Sequence, residues 1–148
     1  MSQPAVLISI TPEFAGKIAA GSKTIELRRK FPDVPEGTWI YLYVTLPVGA
    51  VVGRVKVVEV DADEPSALWT RHHSEVGLTR DRFDNYFAER ERGFAVRLSG
   101  YQALDAVDLE ALRRDLPGFV APQSYRFLDD EAQLVLHGTP PVQKLARK

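Results

Sequence analysis

At 148 residues, with 45% apolar and 26% charged side chains, the chain has the size and make-up of one soluble globular domain. It has no cysteine, which excludes a disulfide framework, thiolate catalysis and cysteine-ligated zinc. No apolar run approaches the ~18 residues that span a bilayer, and Met1-Ser2-Gln3-Pro4 lacks the basic start of a secretory leader, so a cytoplasmic protein without a membrane partner is expected.

The formal net charge is −1, but it is unevenly spread: +3 over residues 1–57, −5 over 58–91 and +1 over 92–148. A weakly basic first third beside an acidic middle produces a local positive field on a nearly neutral whole.

Ala5 to Ile10 is an unbroken apolar run, predicted as a buried strand. Thr11-Pro12-Glu13 then opens a helix, with Thr11 as cap, Pro12 at the first helical position and Glu13 at the positive end of the dipole. Phe14 and Ile18 share its inward stripe, and Gly21 supplies the left-handed stop. Thr24 to Arg29 alternates as a strand, the segment Phe31 to Gly37 is a proline-punctuated loop, and Trp39 to Thr45 is an aromatic and β-branched strand. Val51 to Val60 is a longer strand with Gly53 as a bulge or corner. Helices are predicted over Glu64 to Arg71 and Thr79 to Arg90, the second burying Phe83, Tyr86 and Phe87, with Trp69 and these rings acting as packing residues. Phe94 to Ser99 is a strand and Asp108 to Leu116 a short helix; Tyr125 to Leu128 and Asp129 to Leu136 form a last strand and a last helix or turn. Residues 1–137 thus make one domain, and 138–148 are expected to be a disordered tail. Long strands with short connections and no regular strand-helix-strand alternation give an α+β class, a closed or nearly closed barrel decorated by short helices.

The segment Gly21-Ser22-Lys23-Thr24-Ile25-Glu26-Leu27-Arg28-Arg29 carries the chemistry. Strand alternation projects Thr24, Glu26 and Arg28 to one face and Ile25 and Leu27 to the other. Arg28 is suited to a bidentate grip on phosphate or a base edge, and Lys23 supplies a mobile charge. Glu26 accepts hydrogen bonds from base amines or holds the neighbouring cations. Tyr41 and Tyr43 share one face of the next strand, and rings beside cations are what stacks an unpaired base while its backbone is held. The alternative is an ion pair between Glu26 and Arg28 on a solvated face.

These residues, with Ile8-Ser9-Ile10, Pro12-Glu13-Phe14, Val51-Val52-Gly53 and Pro122-Gln123-Ser124-Tyr125-Arg126-Phe127, resemble an ASCH domain, a branch of the PUA-like superfamily, over residues 5 to 128. The resemblance implies a mixed and antiparallel PUA-like β-barrel with a cleft for RNA, nucleotides or modified nucleosides. It places Lys23, Thr24, Glu26, Arg28, Tyr43, Gln123, Ser124 and Arg126 as nucleic-acid-binding candidates. The expected function is an RNA- or nucleotide-binding module, regulatory in role, gripping single-stranded RNA in a cationic cleft. The alternative is a metal-independent ribonuclease in the same cleft, with Glu26 as base, Arg28 or Lys23 stabilising the phosphorane and Tyr43 or another group as acid. A third reading, an N4-acetylcytidine-type amidohydrolase, uses a Lys, a Thr and a Glu in that family subgroup. Lys23 matches the Lys, but Glu26 stands where the nucleophilic Thr belongs, and the acid falls near Ser74-Glu75.

No cofactor is expected. Adjacent His72 and His73 diverge by ~100° on a helix and make a poor chelate, so a solvated or helix-end pair and no metal site are expected. No glycine-rich phosphate loop or nucleophile elbow is present. Arg113-Arg114 is read as a solvated helix face.

Overall fold

Six strands and five helices alternate along residues 5–137, which the computed structural model describes. In chain order they are β1 (Ala5–Ile10), α1 (Pro12–Ala20), β2 (Ile25–Arg28), β3 (Trp39–Val44), β4 (Ala50–Asp63), α2 (Pro65–His72), α3 (Arg80–Tyr86), β5 (Gly93–Asp108), α4 (Leu109–Asp115), β6 (Arg126–Leu128) and α5 (Asp130–Leu136). The disordered tail expected over 138–148 lies outside the described residues.

All six strands join one mixed sheet in the order β2-β5-β4-β3-β1-β6, with β1 and β3 parallel and the remaining pairs antiparallel. β1 is buried on both faces, as its unbroken apolar run requires. Val6, Ile8 and Ile10 enter one cluster with Ile18, Ile40, Leu42 and Val96, while Ala5 and Leu7 enter a second with Tyr41, Leu112, Phe119 and Leu136. A third cluster packs Ile25 and Leu27 of β2 under α2 and α3 through Leu68, Val76, Phe83 and Phe87. β2 therefore turns its apolar residues outward against helices and its polar ones toward the space beside β1.

Thr11 caps α1 through a hydrogen bond from Phe14 N, and Gly21 ends it at φ 81°. β4 and β5 are both longer than predicted. Gly100, at φ 66°, reads locally as a stop, yet β5 runs on to Asp108 because β4 offers a partner through three register shifts. One lies between Val51 and Gly53, the corner predicted from Gly53; the ring of Tyr101 covers that glycine where a Cβ would stand. The helix predicted to reach Arg90 ends at Tyr86, since Glu89 at φ 62° turns the chain into β5.

These bulges curl the sheet until its far ends meet. Arg28 of the end strand β2 donates to Ser9 O of β1 at 3.1 Å and to Ser124 O, just before the other end strand, at 2.8 Å. The barrel is closed there by a side chain and not by a backbone ladder.

Two glycines separate packing from propensity. A Cβ at Gly93 would stand 2.4 Å from the buried Phe87 ring, whereas one at Gly16, exposed within α1, meets nothing within 4 Å. In urea unfolding, Gly93→Ala is expected to lose about 2 kcal/mol. Gly16→Ala is expected to gain about 0.5–1 kcal/mol.

Candidate nucleic-acid cleft

Between β2, the end of β1, α1 and α3 lies a cavity of about 480 Å³. Lys23, Glu26 and Arg28 form its inner wall, at only 2%, 5% and 9% exposure. The expected convergence of Glu26 and Arg28 on one face is present. They pair with each other at 3.0 Å as the alternative reading had it, but in a buried cavity wall and not on a solvated face. Glu26 uses both oxygens: Oε2 accepts from Arg28 and Oε1 lies 3.6 Å from Lys23 Nζ. Two cations against one carboxylate leave this buried row with a formal surplus of one positive charge.

Lys23 is enclosed by the turn that follows α2. Three successive carbonyls of that turn are taken by α1 and the approach to β2. Thr24 N and Ile25 N donate to Glu75 O, Lys23 Nζ to Val76 O, and Lys17 Nζ to Gly77 O at 2.8 Å. Gly77, at φ 71°, lies against the Lys23 stem, where a Cβ would come within 3.2 Å. Burial holds the Lys23 ammonium below the ordinary lysine range, outweighing the attraction of Glu26. The Phe14 ring lies 4.8 Å from Lys23 Nζ.

α3 supplies the opposite wall. Arg82 is clamped to Glu13 by two hydrogen bonds of 2.9 and 3.1 Å, fastening α3 to α1, and Asn85 and Tyr86 line the cavity. Tyr86 was expected to be a packing residue only. Its ring does touch Phe87, but it also borders the cleft, carries Arg29 on its face at 4.4 Å and accepts from Arg29 N at its hydroxyl. Burial pushes its phenol up from the ordinary tyrosine range.

A second cavity of about 410 Å³ shares Ser9, Arg28 and Tyr86 with the first, and adds Arg29, Lys30, Arg90, Gln123 and Ser124. No carboxylate lines it, and Arg29, Lys30 and Arg90 form no ion pair among the described residues. Gln123 and Ser124, chosen from the late motif, thus stand beside Arg28.

Three candidates lie elsewhere. Tyr43 is paired in register with Ser9 but is buried on the outer side of β3, against Phe119 at 6.2 Å, so its ring is not beside the cations of the cleft. Arg126 points to the same side, its guanidinium 5.5 Å from the Phe119 ring. Thr24 borders a smaller hollow behind Lys23 and donates its hydroxyl to Glu75 at 3.0 Å. Glu75 is itself ion-paired with Arg97, which holds its carboxyl below the usual carboxylate range. Lys23 Nζ meets a carbonyl, a carboxylate and a ring, and among the described residues no hydroxyl is hydrogen-bonded to it.

The histidine pair divides: His73 is exposed, but His72 is buried and bonded to Asp61 at 2.7 Å, because its side of α2 packs on β4. Both stand at the C-terminal end of α2, as the helix-end alternative had it, but His72 is not solvated. Among the described residues no three His, Asp or Glu side chains gather as a metal-holding group.

The ASCH domain family profile matches residues 8–113. The chain belongs to the ASCH family. A protein of Zymomonas mobilis named "ASCH domain-containing ribonuclease" is 32% identical over 125 residues, 84% of each chain. The crystal structure of the ASCH protein from Zymomonas mobilis superposes with a TM-score of 0.86 at 30% identity, covering 92% of this chain and 95% of that one. A tyrosine-to-phenylalanine variant from the same organism gives 0.86 at 29%, covering 92% and 98%. The α+β barrel of this ASCH protein is accordingly a PUA-like fold.

The lowered pKa of Lys23 has a sign that can be measured. Between its folded and unfolded values the unfolded chain binds more protons, so stability rises with pH in that window. Urea unfolding followed upward from neutral pH toward the ordinary lysine range is expected to show this rise in the wild type and lose it in Lys23→Met.

Proposed function

We propose that this ASCH protein binds single-stranded RNA across the two adjacent cavities, with a nucleobase in the larger one and backbone phosphates in the cationic one. The observation that carries this reading is the cluster of Arg29, Lys30 and Arg90 around Arg28, with no carboxylate lining the cavity they share. Unneutralised guanidinium and ammonium groups in a concave site are what a phosphodiester backbone binds. In the larger cavity Phe14, Leu27 and Tyr86 offer apolar and aromatic walls, while Asn85 offers an amide to a base edge. No helix among the described residues is long and apolar enough to cross a membrane.

The test is fluorescence anisotropy with labelled single-stranded RNA over a salt series. Neutralising Lys30 and Arg90 together (Lys30→Ala with Arg90→Ala) is expected to lower the slope of log K against log salt by about 1.4, at ~0.7 per phosphate contact on a single strand. A double variant with the wild-type slope and affinity defeats the reading.

A second reading is favoured by the ribonuclease relative: the bound strand is also cut. RNA cleavage of this kind removes the 2′-OH proton, joins O2′ to phosphorus and expels the 5′-oxygen, which takes up a proton. On this reading Glu26 is the base through Oε1, whose contact with Lys23 is the longer of its two, and Arg28, bonded to Oε2, stabilises the phosphorane. The acid passes from Tyr43, which is outside the cleft, to Tyr86, whose phenol burial keeps protonated. Gel analysis of end-labelled RNA, with and without divalent cation, is expected to show fragments ending in cyclic phosphate. Glu26→Gln is expected to abolish them and Tyr86→Phe to slow them by about 10²-fold. Undiminished cutting by Glu26→Gln removes Glu26 from that role.

A further inference from the structure

Three aromatic rings form a row next in the chain to residues that line the cationic cavity. Phe31 follows Lys30 in the chain, and its ring lies 6.4 Å from that of Tyr125, which follows Ser124. Tyr125 in turn meets Phe127 edge-to-face at 5.8 Å. Burial falls steadily along the row. Phe31 is 7% exposed, Tyr125 half-buried and Phe127 53% exposed. The position of Phe127 explains its exposure. β6 is an end strand of three residues, paired only with β1, so Phe127, opposite Val6, has no neighbouring strand on its outer side to cover it. Packing does not require an aromatic there, since Leu128 and Tyr125 already bury their side chains in the two cores.

One exposed ring is common on protein surfaces. This one continues a row of rings from a groove of unpaired cations, and interleaved rings and cations are what a single-stranded nucleic acid occupies. Phe31 and Tyr125 are the chain neighbours of Lys30 and Ser124, both of which line that groove.

We propose that Phe127, supported edge-on by Tyr125, is a stacking subsite for a nucleotide flanking the one bound in the cleft, so that the protein reads a strand and not a mononucleotide. This rests on the cleft being the RNA site. Arg28, Arg29 and Lys30 grip the backbone, and the next unpaired base lies on the exposed face of Phe127. Stacking on a single phenyl ring has little base preference, because every base has a π-face.

The test is the dependence of affinity on length, measured with fluorescent 2′-fluoro uridylate oligomers, which lack the hydroxyl that RNA cleavage consumes. For Phe127→Ala we expect dimer binding within twofold of wild type and octamer binding weakened about tenfold. Phe127→Trp is expected to restore or exceed wild-type octamer affinity. Lys30→Ala, in contrast, is expected to weaken both lengths. An octamer affinity unchanged in Phe127→Ala, or an equal loss at both lengths, overturns the subsite while leaving the cleft reading intact. If wild type binds neither oligomer, the cleft reading fails and the subsite with it. A wild-type dimer in sedimentation that Phe127→Ala converts to monomer assigns the ring to self-association and also overturns the proposal. The ring is surface-exposed, so thermal melting of the variants is expected to stay within a few degrees of wild type.

Discussion

A buried guanidinium holds this barrel shut. β2 and β6 are the ends of the sheet, and no ladder of backbone hydrogen bonds joins β2 to β1. Arg28 crosses the gap and satisfies Ser9 O, Ser124 O and Glu26 at once. Taking a charge out of water costs several kcal/mol, and a single surface-type ion pair would not offset that. Three fixed acceptors do, because each takes a hydrogen bond from the fork of Arg28. A lysine has the charge but not the fork. Closure by a side chain also leaves space where a backbone ladder would have filled it, and the two cavities flank that one residue. Fold and cleft therefore have the same origin.

The remainder of the cleft is arranged around the buried row. Lys23 cannot move far, since its stem lies on Gly77 and its ammonium is held by Val76 O and Glu26. The turn that encloses it is tied to α1 and β2 through three carbonyls in succession, and α3 is tied to α1 through Arg82 and Glu13. With α1, β2 and α3 cross-linked in this way, Tyr86 has a fixed place between the two cavities. A ligand would meet preset donors, with little side-chain ordering left to lower its affinity.

Much of this was legible in the chain. Alternation from Thr24 to Arg28 is a local property, and it correctly assigned Glu26 and Arg28 to one face. Thr11, Pro12 and Gly21 marked both ends of α1 because caps act within a few residues. What failed depended on long-range pairing. Tyr43 and Arg126 sit on strands whose faces are set by the parallel β1/β3 register and by β6 pairing with β1, and nothing within either segment specifies which face meets the cleft. β5 continues past Gly100 only because a bulged β4 accompanies it. Arg82, Asn85 and Tyr86 were missed as cleft residues because helical spacing shows which stripe packs, not what the stripe borders. The pair of Arg82 with Glu13, 69 residues away, left no trace in either neighbourhood. The readable signal for Tyr86 was its place between Phe83 and Phe87, which indicated burial and nothing more.

Net charge is a poor guide to what this surface attracts, and the reason lies in how the acids are used. The middle segment carries a surplus of carboxylates, yet Asp61 and Asp63 bind Arg71, Glu75 binds Arg97 and Asp84 binds Arg80. Each acid in such a pair neutralises a cation of its own neighbourhood and projects little field beyond it. Among the described residues Arg29, Lys30 and Arg90 have no such partner, although Glu89 and Glu91 flank Arg90 in the chain. Arg29 is stacked on Tyr86 and bonded to Tyr86 O, contacts that orient a guanidinium without cancelling its charge. Beneath them the Lys23, Glu26 and Arg28 row adds one more uncancelled charge in a drier setting, where its field is screened least. A protein of net charge −1 can therefore present a concave positive site, and the proposed RNA ligand would meet it with a phosphate in the outer groove and a flat, partly apolar base in the inner cavity.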